Sequence, residues 1–224
     1  MRQHETSQST TYLLSPPVLQ LLARNRERGH VHVLSAYRRG LGATPRHELN
    51  LLWHIDAAAA LLTVQARDAP VWPGKLGEAQ KSTTVNAPAA GELVQLVVHR
   101  SCQKTPPSRT PEPLRAELER KGPDGKKLLG KAYRSRLVIV PEEERTTWAI
   151  GRLQAIGLEP LPDAVEVGKL SYAALGGRKT GIPYVEIRAR ARVIDPNLFA
   201  DALRQGTGKG RNYGLGLIRL QPAS

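Results

Sequence analysis

Two groups of residues in this chain are suited to chemistry. The first is GTGKGRNYGLG, residues 206–216, where five glycines surround Lys209 and Arg211. Glycines let backbone N–H groups come close to an anion, and cations between them suit a phosphate. Gly206, Gly208, Gly210, Lys209, Arg211 and Asn212 are therefore candidate anion-binding residues. The stretch lacks the Gly-Lys-Ser/Thr ending of a P-loop. It follows a helix and opens a strand, the reverse of a dinucleotide fingerprint. A glycine-rich connection with solvated cations is the other reading of the loop. The second group is six histidines, at 4, 30, 32, 47, 54 and 99. Imidazole moves protons near neutral pH. His99 and Arg100 end an apolar strand and could touch a polyanion. No Ser/His/Asp arrangement is visible, and Glu142, Glu143 and Glu144 fit the positive end of a helix rather than a carboxylate site. Cys102 is the sole cysteine, so an intrachain disulfide and a cysteine zinc site are excluded. No metal and no cofactor is expected.

The charge balance narrows the partner. Thirty-three Lys and Arg against twenty Asp and Glu give a formal net charge of +13. Such an excess points to nucleic acid, an acidic partner or an anionic surface. No apolar run is long enough to cross a membrane, and the first residues lack the apolar core of a signal peptide. A cytoplasmic location is expected, with nucleic acid as the leading polyanion.

The elements that must position these groups are clearest near the C-terminus. Residues 184–193 alternate: Val185, Ile187, Ala189, Ala191 and Val193 share one face, and Glu186, Arg188, Arg190 and Arg192 the other. Period two predicts a strand with one buried face, and its exposed arginines favour the polyanion reading of the loop. Asp195-Pro196 predicts a helix start, and Leu198, Phe199, Ala202 and Leu203 keep helical spacing up to Gly206. A last strand is predicted at 215–220. Upstream, 136–140 and 165–172 read as strands and 141–156 as a helix. Residues 176–181 form a turn with Arg178 and Lys179.

In the first half, 12–15 reads as a short strand, 18–23 as weakly helical, and RNRERG as a basic loop holding Arg24, Arg26 and Arg28. Residues 30–39 read as a helix, 48–56 with 60–67 as a hairpin, and 92–99 as a strand. Residues 1–11 are expected to be disordered, 68–90 irregular, and the proline- and lysine-rich 101–133 a connecting segment. Each half thus reads β-α-β-β-α-β, less cleanly in the first. The expected fold is α+β, with two tandem ferredoxin-like domains at 1–100 and 134–224. RRM-like RNA binders share this order. Aromatic content is only 4%, so phosphate and shape contacts are expected over base stacking on the sheet.

At this point a resemblance appears. The tail EIRARARVIDPNLFADALRQGTGKGRNYGLGLIRLQP resembles that of the CRISPR-associated CasE endoribonucleases of type I-E Cascade systems. Gly206, Gly208, Gly214 and Gly216 match its glycine pattern, as do Leu215, Leu217 and Leu220; its cation is shifted here to Lys209 and Arg211. HVHVLSAY (30–37), LNLLWHID with LLTVQARD, and LVQLVVHRSCQKTP resemble further family segments in the same order.

The resemblance implies tandem ferredoxin-like domains and metal-independent cleavage of CRISPR precursor RNA at a repeat stem-loop. It further implies that the product hairpin is kept within Cascade, beside the terminal backbone subunit. His30, seven residues before Tyr37, takes the place of the family's catalytic histidine, with His32 as the alternative. Lys104 takes the place of a lysine near the RNA, a candidate for stabilising charge. RNA contacts are expected from Arg24, Arg26, Arg28, His99, Arg100, Arg178, Lys179, Arg188, Arg190 and the loop. Where the family often has Tyr, three residues before the histidine, Glu27 stands. A non-catalytic RNA-hairpin-binding subunit is therefore the alternative function.

Overall fold

The computed structural model describes residues 7–37, 40, 42–104, 116–117, 119–122, 137–176 and 181–221. Its first unit runs β1 (Ser7–Leu13), α1 (Pro16–Arg24), α2 (Arg26–Leu34), α3 (Pro45–Leu49), β2 (Leu52–Asp56), β3 (Leu61–Ala66) and β4 (Glu78–Val85). These strands form an antiparallel sheet in the order β2-β3-β1-β4. The second unit runs β5 (Leu93–Ser101), the short pair β6 (Gln103–Lys104) and β7 (Val138–Ile139), α4 (Arg145–Gln154), β8 (Leu158–Val167), β9 (Ser171–Ala173), β10 (Ile182–Val193), α5 (Pro196–Gln205) and β11 (Ile218–Gln221). Its main sheet has the order β11-β5-β10-β8. Numbered within each unit, both sheets follow the same fourth-first-third-second order. The fold is two tandem ferredoxin-like domains.

Each sheet buries one face under helices. In the first, Tyr12, Leu62, Val64, Trp53 and Ile55 pack with Leu22 of α1, Val33 of α2 and Leu49 of α3. In the second, the expected face of β10 (Val185, Ile187, Ala189, Ala191, Val193) packs with Ala149 and Leu153 of α4 and Phe199, Ala202 and Leu203 of α5. Asp195 caps α5 as its sequence predicts: its carboxylate accepts from the N–H groups of Asn197 and Leu198, both at 3.0 Å. The uncovered faces of the two sheets meet each other. Two cavities of about 380 Å³ lie between them. One has Ser9, Thr11, Thr63 and Gln65 against Ile218 and Leu220. The other has His54 and Asp56 against Val97, His99 and Glu186.

Four expectations need correcting. The strand expected to close the first domain is β5, which lies between β10 and β11 in the second sheet. The sheets therefore divide between Val85 and Leu93, and the proline- and lysine-rich segment falls inside the second unit. Its period marks β5 as a strand, but nothing local says which sheet it joins. The closing strand of the first sheet is instead β4, within the stretch expected to be irregular. Seven of its eight residues are exposed, so no apolar alternation betrays it, and it is held by backbone pairing to β1. Third, β1 begins at Ser7, inside the expected disordered start. Between β3 and β4 a single 3₁₀ turn (Pro73–Lys75) stands where a second helix was expected; Pro70, Pro73, Gly74 and Gly77 oppose a helix there.

The glycine loop is packed as well as flexible. Gly214 has φ +73°, and a Cβ there would lie 2.8 Å from Arg26 Nη1 and 2.9 Å from the Trp53 ring. Gly214→Val should therefore lower stability by about 1–3 kcal/mol from backbone strain alone, with the steric overlap added. Gly151, in α4, has open space around its Cβ position, so Gly151→Ala should raise stability by about 0.5–1 kcal/mol. Denaturant melts of both variants check the pair.

Candidate active site

The site is built where the first unit meets the end of α5. The last carbonyls of a helix have no partner within it. Here Gln65 of β3 donates its side-chain N–H to the Leu203 carbonyl at 2.6 Å. Arg46 of α3 donates to the Gln205 carbonyl at 2.9 Å. Arg211, on the 3₁₀ turn of the glycine loop (Arg211–Tyr213), donates to the same carbonyl at 3.2 Å. One carbonyl at the negative end of a helix thus gathers two guanidinium groups from distant parts of the chain. Arg46 is only 7% exposed, and its Nε has no partner. Burial and the nearby Arg211 charge lower its pKa to about 10, so it remains a cation.

α2 packs against the same 3₁₀ turn and brings in His30. The expected basic loop is in fact the end of α1 and the first turn of α2. Asn25 caps α2 by accepting from the Arg28 N–H at 3.0 Å, and the Arg26 N–H donates to Ala174 of the second unit at 2.9 Å. His30 is therefore mid-helix rather than at a helix start. It is half-buried. Burial, then the charge of Arg46, lowers its pKa below the ordinary histidine value. Its Nδ1 is buried without a partner, which leaves Nε2 to meet solvent or a substrate. A neutral imidazole beside a cation can accept a proton next to a bound anion.

His32 is two residues on, about 200° around the helix, and its Nε2 donates to the Lys75 carbonyl at 2.8 Å. It is not part of this group. Lys104 is not either: it pairs with Glu144 and lines a separate pocket with Arg100 and Lys209. Among the described residues no contact joins it to His30. Arg24, Arg28, Arg190, Lys209 and Asn212 are exposed. Arg188, expected on the same open face, ion-pairs with Glu186 at 2.7 Å. Arg26 is 7% exposed and sits 5.4 Å over the Trp53 ring, a packing position rather than a surface one. Gly206, Gly208 and Gly210 all have positive φ. Arg178 and Lys179 lie outside the described residues. Arg46 was missed by sequence reasoning; its only signal is an arginine beside a Thr-Pro helix start, which is unremarkable without the fold.

Between the sheets sits a second polar group. His99 Nε2 donates to Glu186 at 3.0 Å, and its ring meets the His54 ring edge-on at 4.4 Å. Burial pushes Glu186 up, but hydrogen bonds from His99 and Arg188 and the Arg188 charge leave it below its ordinary value. His99 is thus tied into the domain interface rather than free on the surface. Burial lowers the pKa of both histidines; for His54 the charge of Arg219 adds to it, and for His99 the Glu186 hydrogen bond opposes it without reversing it.

A pH dependence of stability follows. The folded chain keeps these imidazoles neutral, whereas the unfolded chain protonates them near pH 6.5. Their contribution is complete above about pH 6.5 and is lost as pH falls from there towards the lowered folded values. Thermal melts should show a drop in Tm between pH 7 and pH 5 that is smaller in His54→Phe. An equal drop in both proteins would contradict this origin.

Among the described residues no helix is long and apolar enough to cross a membrane, and no group of three or more metal-ligating side chains is present. No curated protein sequence matches the chain. Solved structures of similar fold do. Thermus thermophilus Cse3 bound to an RNA representing a pre-cleavage complex superposes with a TM-score of 0.72 at 22% identity, over 97% of this chain and 100% of that one. Cas6e from Escherichia coli K-12 gives 0.61 at 15% identity, over 97% and 100%. A chain of a CRISPR RNA-guided surveillance complex gives 0.53 at 17% identity, over 96% and 98%. A family model described as CRISPR associated protein matches residues 7–222. With that match spanning both domains, the chain belongs to the CRISPR associated protein family.

Proposed function

We propose that this protein is a CasE-type endoribonuclease of a type I-E system. It cleaves CRISPR precursor RNA at the repeat stem-loop without a metal ion and keeps the 3′ hairpin of the product as a subunit of Cascade. The observation that carries the reading is His30 beside Arg46, which shares the Gln205 carbonyl with Arg211, on a helix packed against the 3₁₀ turn of the glycine loop. The family match supports it, as does a fold shared with a Cse3 solved with RNA. The net charge of +13 suits a phosphate-rich partner.

The chemistry needs few groups. Neutral His30 Nε2 takes the proton of the 2′-OH on the nucleotide before the cut. The 2′-oxygen attacks the adjacent phosphorus, and the bond to the 5′-oxygen breaks. The products are a 2′,3′-cyclic phosphate and a 5′-hydroxyl, the latter taking a proton from water or from the imidazolium. Negative charge gathers on the non-bridging oxygens in the transition state, where Arg46 and Arg211 stabilise it.

Incubating a cognate repeat hairpin with the protein in EDTA tests this. Cleavage should proceed, and His30→Ala should lose about 10²–10⁴ in rate while hairpin affinity stays within a few-fold, since many other cations remain. His32→Ala should cut near the wild-type rate, because its ring is tied to Lys75. The reacting form of His30 is neutral and its pKa is lowered. The rate should therefore rise with pH and reach half-maximum below 6.5. A wild type that binds the hairpin but never cuts it would make the protein a non-catalytic hairpin-binding subunit, with Glu27 as the departure responsible.

A further inference from the structure

The glycine loop has a second charged side, away from His30. Lys209 and Gly208 line a pocket of about 230 Å³ together with Arg100, Lys104, Trp148 and Arg152. Arg100 donates to the Thr207 hydroxyl, and its side chain runs beneath Gly208, where a Cβ would lie 3.2 Å from Nε. Burial, then the charge of nearby Arg152, lowers the Arg100 pKa to about 10, so Arg100 remains charged at neutral pH. Four cations line this pocket. Among the described residues, Lys104 pairs with the Glu144 carboxylate. Like charges held together without a matching counterion are what an anion site requires. Among the described residues the aromatic side chain on the wall is Trp148, whose Nε1 is buried without a partner.

The geometry points to a second RNA subsite in this pocket, for an unpaired nucleotide outside the hairpin. Its phosphate would sit on Arg100, Arg152 and Lys209, and its base would lie against Trp148. A duplex is a poor occupant, because its bases are stacked on one another and unavailable to the indole, whereas single strands combine a cationic groove with aromatic stacking. The loop then serves two phosphates of one strand, through Arg211 on the His30 side and Lys209 on this one. Lys104 belongs to this subsite and not to catalysis. The inference rests on the RNA-binding reading above, but not on cleavage.

Tryptophan fluorescence of the full chain, titrated with a hairpin-free oligouridylate and separately with inorganic phosphate, tests it. The oligonucleotide should change the emission of wild type and of His30→Ala alike, and Trp148→Leu should lose that change. Arg152 is exposed, so Arg152→Gln should fold normally, bind the oligonucleotide at least five-fold more weakly, and lower the salt slope by about one. Equal binding by Arg152→Gln overturns the subsite. So does an emission change that survives Trp148→Leu, or inorganic phosphate binding as tightly as the oligonucleotide. If no variant cuts RNA but oligonucleotide binding still follows Arg152, the subsite stands and the nuclease reading fails.

Discussion

The C-terminal end of α5 is the constraint on which the rest of the site depends. Its terminal carbonyls face the first unit and, having no partner within the helix, take donors from outside it. Gln65, Arg46 and Arg211 supply them, on Leu203 and Gln205. These three bonds tie β3, α3 and the glycine loop to one point, and they concentrate positive charge at the negative end of a helix dipole. Apolar packing reinforces the same joint. Gly206 ends α5 at φ +74° and leaves room for Leu52, whose Cδ2 would meet a Cβ there at 2.6 Å. The interface is thus fixed by contacts that also define the chemistry.

That arrangement places a histidine on a helix of the first unit against a loop of the second. α2 is anchored at its start by the Arg26 N–H on Ala174 and along its length by the 3₁₀ turn of the loop. His30 is then half-buried next to cations, and its charged form is disfavoured. Burial of Arg46 would make its charge more effective on the proposed transition-state oxyanion, because less water screens it. The proposed proton acceptor and the proposed phosphate clamp arise from one packing arrangement.

Much of this was legible in the sequence, for identifiable reasons. β10 and α5 are amphipathic with the right periods, and Asp195-Pro196 marks the helix start, so this strand and helix read correctly, whereas the strand expected at 165–172 runs over Leu158–Val167, with a short strand at Ser171–Ala173. His30 was separable from His32 only by its resemblance to a family pattern; the fold supplies the physical reason, since two residues along a helix face different neighbours. β4 was invisible because an exposed edge strand needs no apolar pattern. The sheet to which β5 belongs was invisible because pairing over a long sequence separation leaves no local trace. The surroundings of Lys104 and Arg26 were equally illegible: a cation near a motif gives no local sign that it will pair with Glu144 in one case or lie over the Trp53 face in the other. Arg46 could not be singled out at all, because its significance lies in what it touches across the domain interface.

The account turns on His30 being a neutral base whose pKa is set by burial and by Arg46. Following its imidazole by NMR across pH, in wild type and in Arg46→Gln, measures this directly. The wild-type resonance should titrate below 6.5. In the variant it should move up, without reaching the ordinary value, because burial is the larger cause and remains. A wild-type His30 that titrates at or above 6.5, or one whose midpoint is the same in both proteins, would contradict the account.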